Sequence, residues 1–399
     1  MSKIQRIMVA TKRKRTQETV ILRDELPALK KGEIRILVDK FGLSTNNLFY
    51  AQMGEAPFLK FFHVYPIEGH KDLANVPAWG LGTIIESENP EFNIGERYRG
   101  FFHMTNVVQM KAKRSSDGLV AIGGNRDKLN KAYNRFVRVS EGPSSPFTGT
   151  GSKPDLAMIA APGALSGFVI YELLKMKSYY GGNSVVLTSA SSKLSLAVAV
   201  CLQEARANGK VKKVTGYTSA ANIEFVQSTG LYDDVLTYEQ NLPSNNEFQF
   251  VMIDVAGDAD IFQRNKKQLK KALAVGGTHS NAKASTFTSF GPSGLIKIMG
   301  GMIAPKPVAD WLDDKLNPTL EMFFAPSVMA MLADEFGKNA FEKMGDAALN
   351  EFVVAAIDNG WITVVRADDL EAIQASYDRV FRGHLPPSEA VILSLANAV

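Results

Sequence analysis

The stretch VVLTSASSKLSLAVAVCLQEA, Val185 to Ala205, decides how the chain is read. A run of β-branched residues gives way to a short loop, and a long apolar helix follows. Strand–loop–helix units of this kind open nucleotide-binding folds, where the loop usually carries glycines spaced G-x-G-x-x-G. Here the small residues are Ser189, Ser191, Ser192 and Ser195, with Lys193 among them. Glycine in such a loop permits a tight turn, lets backbone N–H groups approach a pyrophosphate and allows close helix–strand packing. Serine is the next smallest residue with a polar side chain, and its hydroxyl can donate to phosphate or cap the helix. Its Cβ is expected to forbid any position that needs φ > 0. Two readings stand on these residues alone: a phosphate-binding loop and a purely structural turn.

The next strand offers a test. An Asp or Glu at its end would bind a ribose 2′-hydroxyl, whereas a 2′-phosphate calls for donors and no carboxylate. The segment VTGYTSAAN ends in Thr218 and Ser219, with Asn222 one turn on and no acid before Glu224. That pattern favours NADP over NAD if a nucleotide binds. The alternative is that Thr218 or Ser219 only caps the following helix.

Working outward, EGPSSPFTGTGSKPD (Glu141–Asp155) is rich in Gly, Pro and Ser and reads as a linker. After it come helical segments in LAMIAAPGALSGFVIYELLKM, then VVLTS as a strand and KLSLAVAVCLQEARANG as a helix closed by Gly209. The series continues with VKKVTGYTS, NIEFVQSTG, DDVLTY and FQFVMIDVAG, and NKKQLKKALAVGG reads as a helix running into another strand. Alternating β and α at this spacing predicts a parallel sheet covered by helices on both faces. Before residue 150, short strands such as Ile34–Phe41, Ala78–Glu88 and the segment Phe92–Met104 follow one another closely, as in a β-barrel. The glycines of AWGLGTIIESE suggest close backbone approach or a bend there. Residues 283–318 form an irregular Gly/Pro-rich insertion, LEMFFAP resumes as strand, and the last forty residues are placed to return to the first domain.

The chain has 399 residues, 45% hydrophobic and 22% charged, with a net charge of +4. That is room for two cores, and it lacks the clustered basic face of a nucleic-acid binder. Lys12-Arg13-Lys14-Arg15 reads as a solvated hairpin tip. No stretch is read as reaching the roughly 20 apolar residues that span a bilayer, and the start lacks the apolar core of a signal peptide. A single cysteine, Cys201, fits a reducing, cytoplasmic setting. Cys201 falls on the apolar side of a helix, and the five histidines never stand i, i+4 on a helix, so no metal is expected.

The order of elements resembles the medium-chain dehydrogenase/reductase superfamily, which includes quinone and enoyl reductases. The resemblance rests on GEIRILVDKFGLSTNNLFYAQMG, on VPAWGLGTIIESENPEFNIGERYRGFF with its Gly95-Glu96-Arg97-Tyr98-Arg99-Gly100 turn, and on APGALSGFVIYELL with Ser166 where Thr is common. The segments NNLFYA, SASSKLS, TSAANIEFVQSTGLYDDVLTYE, GGTHS and FFAP are similar to a branch in which S-A-S-S-K replaces the glycine fingerprint. The resemblance implies an α/β protein: a GroES-like β-barrel catalytic domain over 1–152, completed by about 358–399, and a Rossmann doubly wound parallel-sheet nucleotide-binding domain over 153–357. It implies NADP(H) as cofactor and carries over Ser189, Ser192 and Ser195 to the fingerprint, with Lys193 beside them. Ser219 and Asn222 fall where a 2′-phosphate is held, Asn222 replacing the usual Lys, and Tyr238 falls where a Tyr covers that phosphate. Val255-Ala256-Gly257 and Thr278-His279-Ser280 should line the cofactor groove.

For the chemistry, the superfamily's zinc enzymes use a Cys and a Gly-His-Glu motif; Gly69-His70-Lys71 lacks the Glu and is discounted. Zinc-free members polarise a carbonyl with hydroxyl or amide donors. Asn46, Asn47 and Tyr50 supply such donors, and the four-residue spacing of Asn46 and Tyr50 sets them on one helical face. Equally, the asparagines could cap a turn and Tyr50 pack in the barrel. Tyr65 is a weaker alternative. His279, at the expected sheet edge, could act as acid or base or only bond the cofactor. Phe61, Phe62, Trp311 and Phe323 suggest a moderately apolar small-molecule substrate. The expected function is a zinc-independent, NADPH-dependent reductase of a carbonyl or conjugated enone, with no nucleic-acid or membrane partner and, by resemblance, a homodimer. The alternatives are a non-redox lyase on the same scaffold and a non-catalytic nucleotide sensor.

Overall fold

In the computed structural model, which describes residues 4–55, 60–129, 131–139, 145–149, 151–244, 247–275 and 319–396, the chain divides into two units. One is Met1–Ile159 with Ile362–Val399, the other Ala160–Trp361.

In the first unit six antiparallel strands close on themselves. Glu33–Leu43 pairs with Pro77–Ser87, which pairs with Arg97–His103, then Arg135–Arg138, Gly118–Ile122 and Val107–Ser115, and the last pairs back onto Glu33–Leu43. Closure removes the sheet's open edges, and inward residues such as Phe41, Tyr98, Phe102 and Phe136 fill it. Glycine is required where Phe136 crosses the barrel: a Cβ on Gly100 would fall 1.9 Å from its ring. The N-terminal hairpin pairs Ile4–Lys12 with Arg15–Leu26, which puts the basic run at its tip. That tip is tied down more than a solvated loop would be, since Arg13 donates to the Leu73 carbonyl (3.0 Å) and pairs with Glu55. From the C-terminus, Thr363–Ala367 runs parallel to Glu389–Leu393, which pairs antiparallel with Glu33–Leu43. Buried Asp155 binds both Lys40 and Arg366, joining three distant parts of this unit.

The linker reading ends earlier than expected. A continuous helix begins at Ser152 and runs to Met176. Pro154 falls in its first turn, where a missing N–H forfeits no bond. This helix is long and apolar enough to cross a membrane, contrary to the expectation that no stretch approaches that, but 78% of its most apolar window is buried. Its apolar surface is core. Glycines let it lie close to a second helix, Lys193–Ala207: a Cβ on Gly167 would sit 3.0 Å from Val198 N.

The second unit is built on a six-stranded, wholly parallel sheet. Its strands are Ser184–Leu187, Lys213–Thr218, Asp234–Thr237, Phe250–Asp254, Leu269–Ala274 and Leu320–Met322. In chain order they lie 3-2-1-4-5-6, the doubly wound Rossmann arrangement. Two segments differ from the sequence reading: LEMFFAP is strand only over Leu320–Met322, with a helix from Ala325, and the second lies in NKKQLKKALAVGG. LKKALA is strand, not helix, and the helix lies before it at Ala259–Asn265. Asp258 starts that helix early by accepting from Asp260 N (2.9 Å). Consecutive buried Ala272-Leu273-Ala274 suits a strand covered on both faces.

Candidate functional site

Because every strand of the second unit's sheet runs the same way, the loops that follow them emerge at one edge. The loop after Ser184–Leu187 is the serine loop. Ser189 adopts a left-handed backbone, φ 48°, which the sequence reading took a Cβ to forbid. A non-glycine residue there costs roughly 1–2 kcal/mol. The surroundings hold it: Ser192 N donates to Ser189 O (2.8 Å), Ala190 N to Tyr217 O (2.8 Å) and Tyr232 Oη to Ala190 O (3.0 Å). The Ser189 hydroxyl lies 3.4 Å from that of Tyr238.

Two of the other serines turn inward on one another. Ser192 is the N-cap of Lys193–Ala207, its Oγ accepting from Ser195 N (3.2 Å) and donating to Ser195 Oγ (3.1 Å). Ser195 Oγ donates to Thr188 O (2.8 Å) and is fully buried. These hydroxyls therefore fasten the helix start to the strand end. Lys193 opens the helix, whose first-turn N–H groups are the ones a helix presents to an anion.

Ser191 faces the second strand, accepting from Asn222 Nδ2 (3.2 Å) and Thr218 Oγ1 (3.4 Å). Ser219 precedes the short turn Ala220–Asn222 without using its side chain as a cap. Loop one and the end of the second strand thus form one polar surface without a carboxylate. On the other side, Thr188 Oγ1 donates to buried Asp254 (2.7 Å) and accepts from Ala256 N (2.8 Å), while Gly257 N donates to Asp254 (3.0 Å). Ser166 is elsewhere occupied, donating to Pro162 O (2.7 Å) within its own helix. The sequence reading did not single out Thr188 or Asp254. The position of each at a strand's carboxyl end was the available signal.

In the barrel unit, Tyr50 lies on the helix Thr45–Gln52 and is buried. Its oxygen accepts from Trp79 Nε1 (3.1 Å) and from Asn46 Nδ2 (3.5 Å). Its ring packs edge-on against Phe61 and Phe101, at 5.1 and 5.0 Å. Burial, and then the nearby Tyr133, raise the phenol's pKa far above its ordinary value. Asn46 is exposed and stands with Tyr50, as the spacing predicts. Asn47 is spent on structure: its Oδ1 accepts from Ser44 N (2.8 Å) and its Nδ2 donates to Pro77 O (2.8 Å). Tyr65 donates to Phe101 O (2.9 Å), and Phe61, Phe62 and Phe323 are buried. Thr278, His279 and Trp311 lie outside the described residues. Among the described residues no group of three or more His, Cys, Asp or Glu is arranged to hold a metal.

A family model described as a protein of unknown function, DUF2855, matches residues 41–386. No curated protein matches the sequence. Among solved structures, CurA in complex with NADPH from Vibrio vulnificus aligns with a TM-score of 0.54 at 11% identity, over 98% of this chain and 99% of that one. The yhdH oxidoreductase from Salmonella enterica in complex with NADP aligns at 0.50 and 13%, over 98% and 100%. The quinone oxidoreductase from Coxiella burnetii aligns at 0.50 and 12%, again over 98% and 100%. The fold is that of the medium-chain dehydrogenase/reductases, a GroES-like barrel with a Rossmann sheet.

Proposed function

The chain belongs to the DUF2855 family, and from that premise we propose that it is a zinc-independent, NADP(H)-dependent oxidoreductase acting on a carbonyl or conjugated enone of a moderately apolar small molecule. The observation that carries this reading is the polar surface of Ser191, Thr218 and Asn222, with no acid ending the second strand, beside Ser189 and Tyr238 at the carboxyl edge of a 3-2-1-4-5-6 sheet. Dinucleotides bind at that edge, and a 2′-phosphate is tolerated where no acid ends the second strand. The NADP and NADPH complexes of proteins with the same fold support the same cofactor.

When bound, the reduced nicotinamide supplies a hydride. The residues do the rest. The first turn of Lys193–Ala207 offers N–H groups to the pyrophosphate, and Ser192 and Ser195 keep that turn in place. Asn222, Thr218 and Tyr238 offer neutral donors to the adenosine end. In the barrel unit Tyr50 stays protonated at neutral pH and is the proton donor to the substrate oxygen. Trp79 and Asn46, both donating to its oxygen, stabilise the phenolate left by that transfer.

The test is a fluorescence titration with NADPH and NADH, followed by turnover on a panel of carbonyls and enones. NADPH is expected to bind more tightly than NADH and to be oxidised by at least one enone. Failure of both nucleotides to bind overturns the proposal. Binding without turnover on the panel replaces it with the nucleotide-sensor reading.

A further inference from the structure

Arg126 sits on the short turn Gly124–Lys128 of the barrel unit and is only 6% exposed. Its Nε donates to Asn134 Oδ1 (2.9 Å), and Asn134 is itself oriented by donating to Ala121 O (2.8 Å). The guanidinium lies 4.6 Å from the ring centre of Tyr65 and 5.1 Å from that of Phe136, so two aromatic faces fix where it sits. Both Nη1 and Nη2 are closed off from solvent, and among the described residues neither finds a partner in hydrogen-bond geometry, although the Tyr65 hydroxyl stands near the guanidinium. Arg35 shows how this chain otherwise handles such a group: equally buried, it pairs with Glu86 and donates to Pro27 O and Gln109.

Among the described residues no acid is paired with Arg126. The His103 ring lies 4.2 Å from Tyr65, and its Nδ1 is also unpaired. Burial, and then the charges of Arg6 and Arg126, keep that imidazole neutral. Asn75 donates to Tyr65 O (2.8 Å) and leaves its own Oδ1 unpaired. Arg6 is paired with Asp24, so its charge is answered. An arginine cannot relieve burial by losing its proton, as a lysine can. An unpaired buried charge is strongly unfavourable, and four N–H donors without acceptors add to that.

We propose that Arg126 anchors a carboxylate-binding site, taking the planar carboxylate of a small organic acid on its two terminal nitrogens. One guanidinium carries one positive charge and a flat, two-pronged donor edge, which matches a carboxylate in charge and shape. A phosphate dianion would call for a second cation, and Arg6, whose charge also reaches His103, is already paired. Tyr65, whose ring faces the guanidinium, donates to Phe101 O, and the Phe101 ring lies 5.0 Å from that of Tyr50. The inference stands on the barrel unit and does not rest on the dinucleotide reading.

The experiment is thermal unfolding of the full chain in acetate or benzoate against chloride and inorganic phosphate at equal ionic strength. A saturable rise of roughly 3 °C with the carboxylates is expected, with none from phosphate. Arg126→Met should abolish that rise without lowering the unfolding temperature measured in chloride. In the wild type, ring NMR should show the His103 titration midpoint moving up as benzoate answers the Arg126 charge, a reading that needs no variant. No saturable carboxylate effect, an equal response in Arg126→Met, stronger stabilisation by phosphate, or an unmoved His103 overturns the proposal.

Discussion

The hydroxyl groups of Ser189 and Tyr238 lie 3.4 Å apart, linking the ends of the first and third strands of the parallel sheet across the second. The contact exists because Ser189 turns into the left-handed region, where glycine would be at ease but would bring no hydroxyl. Ser189→Gly is therefore expected to stabilise the chain by about 1 kcal/mol in thermal unfolding. Tyr238→Phe should weaken NADPH binding by roughly 3- to 10-fold, the worth of one hydrogen bond. An unchanged dissociation constant would take Tyr238 out of the site.

Ser192 caps its helix with the hydroxyl that a phosphate would otherwise receive. Ser192→Ala should cost about 1 kcal/mol of stability, measured by urea unfolding. NADPH affinity should stay within about 3-fold, since backbone N–H groups do most of the phosphate binding. A loss of 30-fold or more would place the hydroxyl on the phosphate instead.

Asn222 donates to Ser191 at the end of the second strand, where an acid would select against a 2′-phosphate. Asn222→Asp is expected to lower NADPH affinity by about 10-fold or more while NADH affinity holds or rises. Competitive fluorescence titration of the two nucleotides reads the ratio directly.

Tyr50→Phe removes the proposed proton donor and leaves half-buried Trp79 Nε1 without this acceptor. Turnover should fall by about 10²- to 10⁴-fold with cofactor affinity unchanged, and stability by about 1–3 kcal/mol. Stopped-flow kinetics and calorimetry separate the two effects; full turnover in the variant would assign Tyr50 to packing alone.

Glu96 gives the barrel an acid limit. Burial would raise its carboxyl pKa, but hydrogen bonds from Arg114 and Tyr98 outweigh burial and hold it at about 2. A depressed carboxylate stabilises the fold fully above its unfolded value of 4.5, and that stability is lost as pH falls from there toward 2. The urea midpoint of the wild type should drop across this window, whereas Glu96→Gln should start lower and vary less. Parallel profiles for the two proteins would refute the assignment.

Much of the fold was legible because it depends on local pattern. The β-branched run at Val185, the alternation along Glu33–Leu43 and the glycines that close helices at Gly209 and Gly230 each specify their own element. LKKALA was misread because four apolar positions in six satisfy a helix as readily as a doubly covered strand, and only the neighbours on either side decide. At the site, the i, i+4 spacing placed Asn46 with Tyr50. Asn47 looked equivalent in sequence, yet its amide is consumed by Ser44 and Pro77.

The sequence by itself determined that a parallel sheet would be fed by a serine-rich turn and that its second strand would end without an acid. Both are properties of residue type and order. Only the tertiary structure decided what each serine does: Ser189 strained toward Tyr238, Ser192 bonded to Ser195 and Ser195 in turn to Thr188, and Ser191 given to Thr218 and Asn222. It also decided that Arg35 would meet Glu86 while Arg126 would meet no acid among the described residues. Hydrogen-bond partners and counter-charges come from residues far apart in the chain, and a linear pattern carries no distance between them.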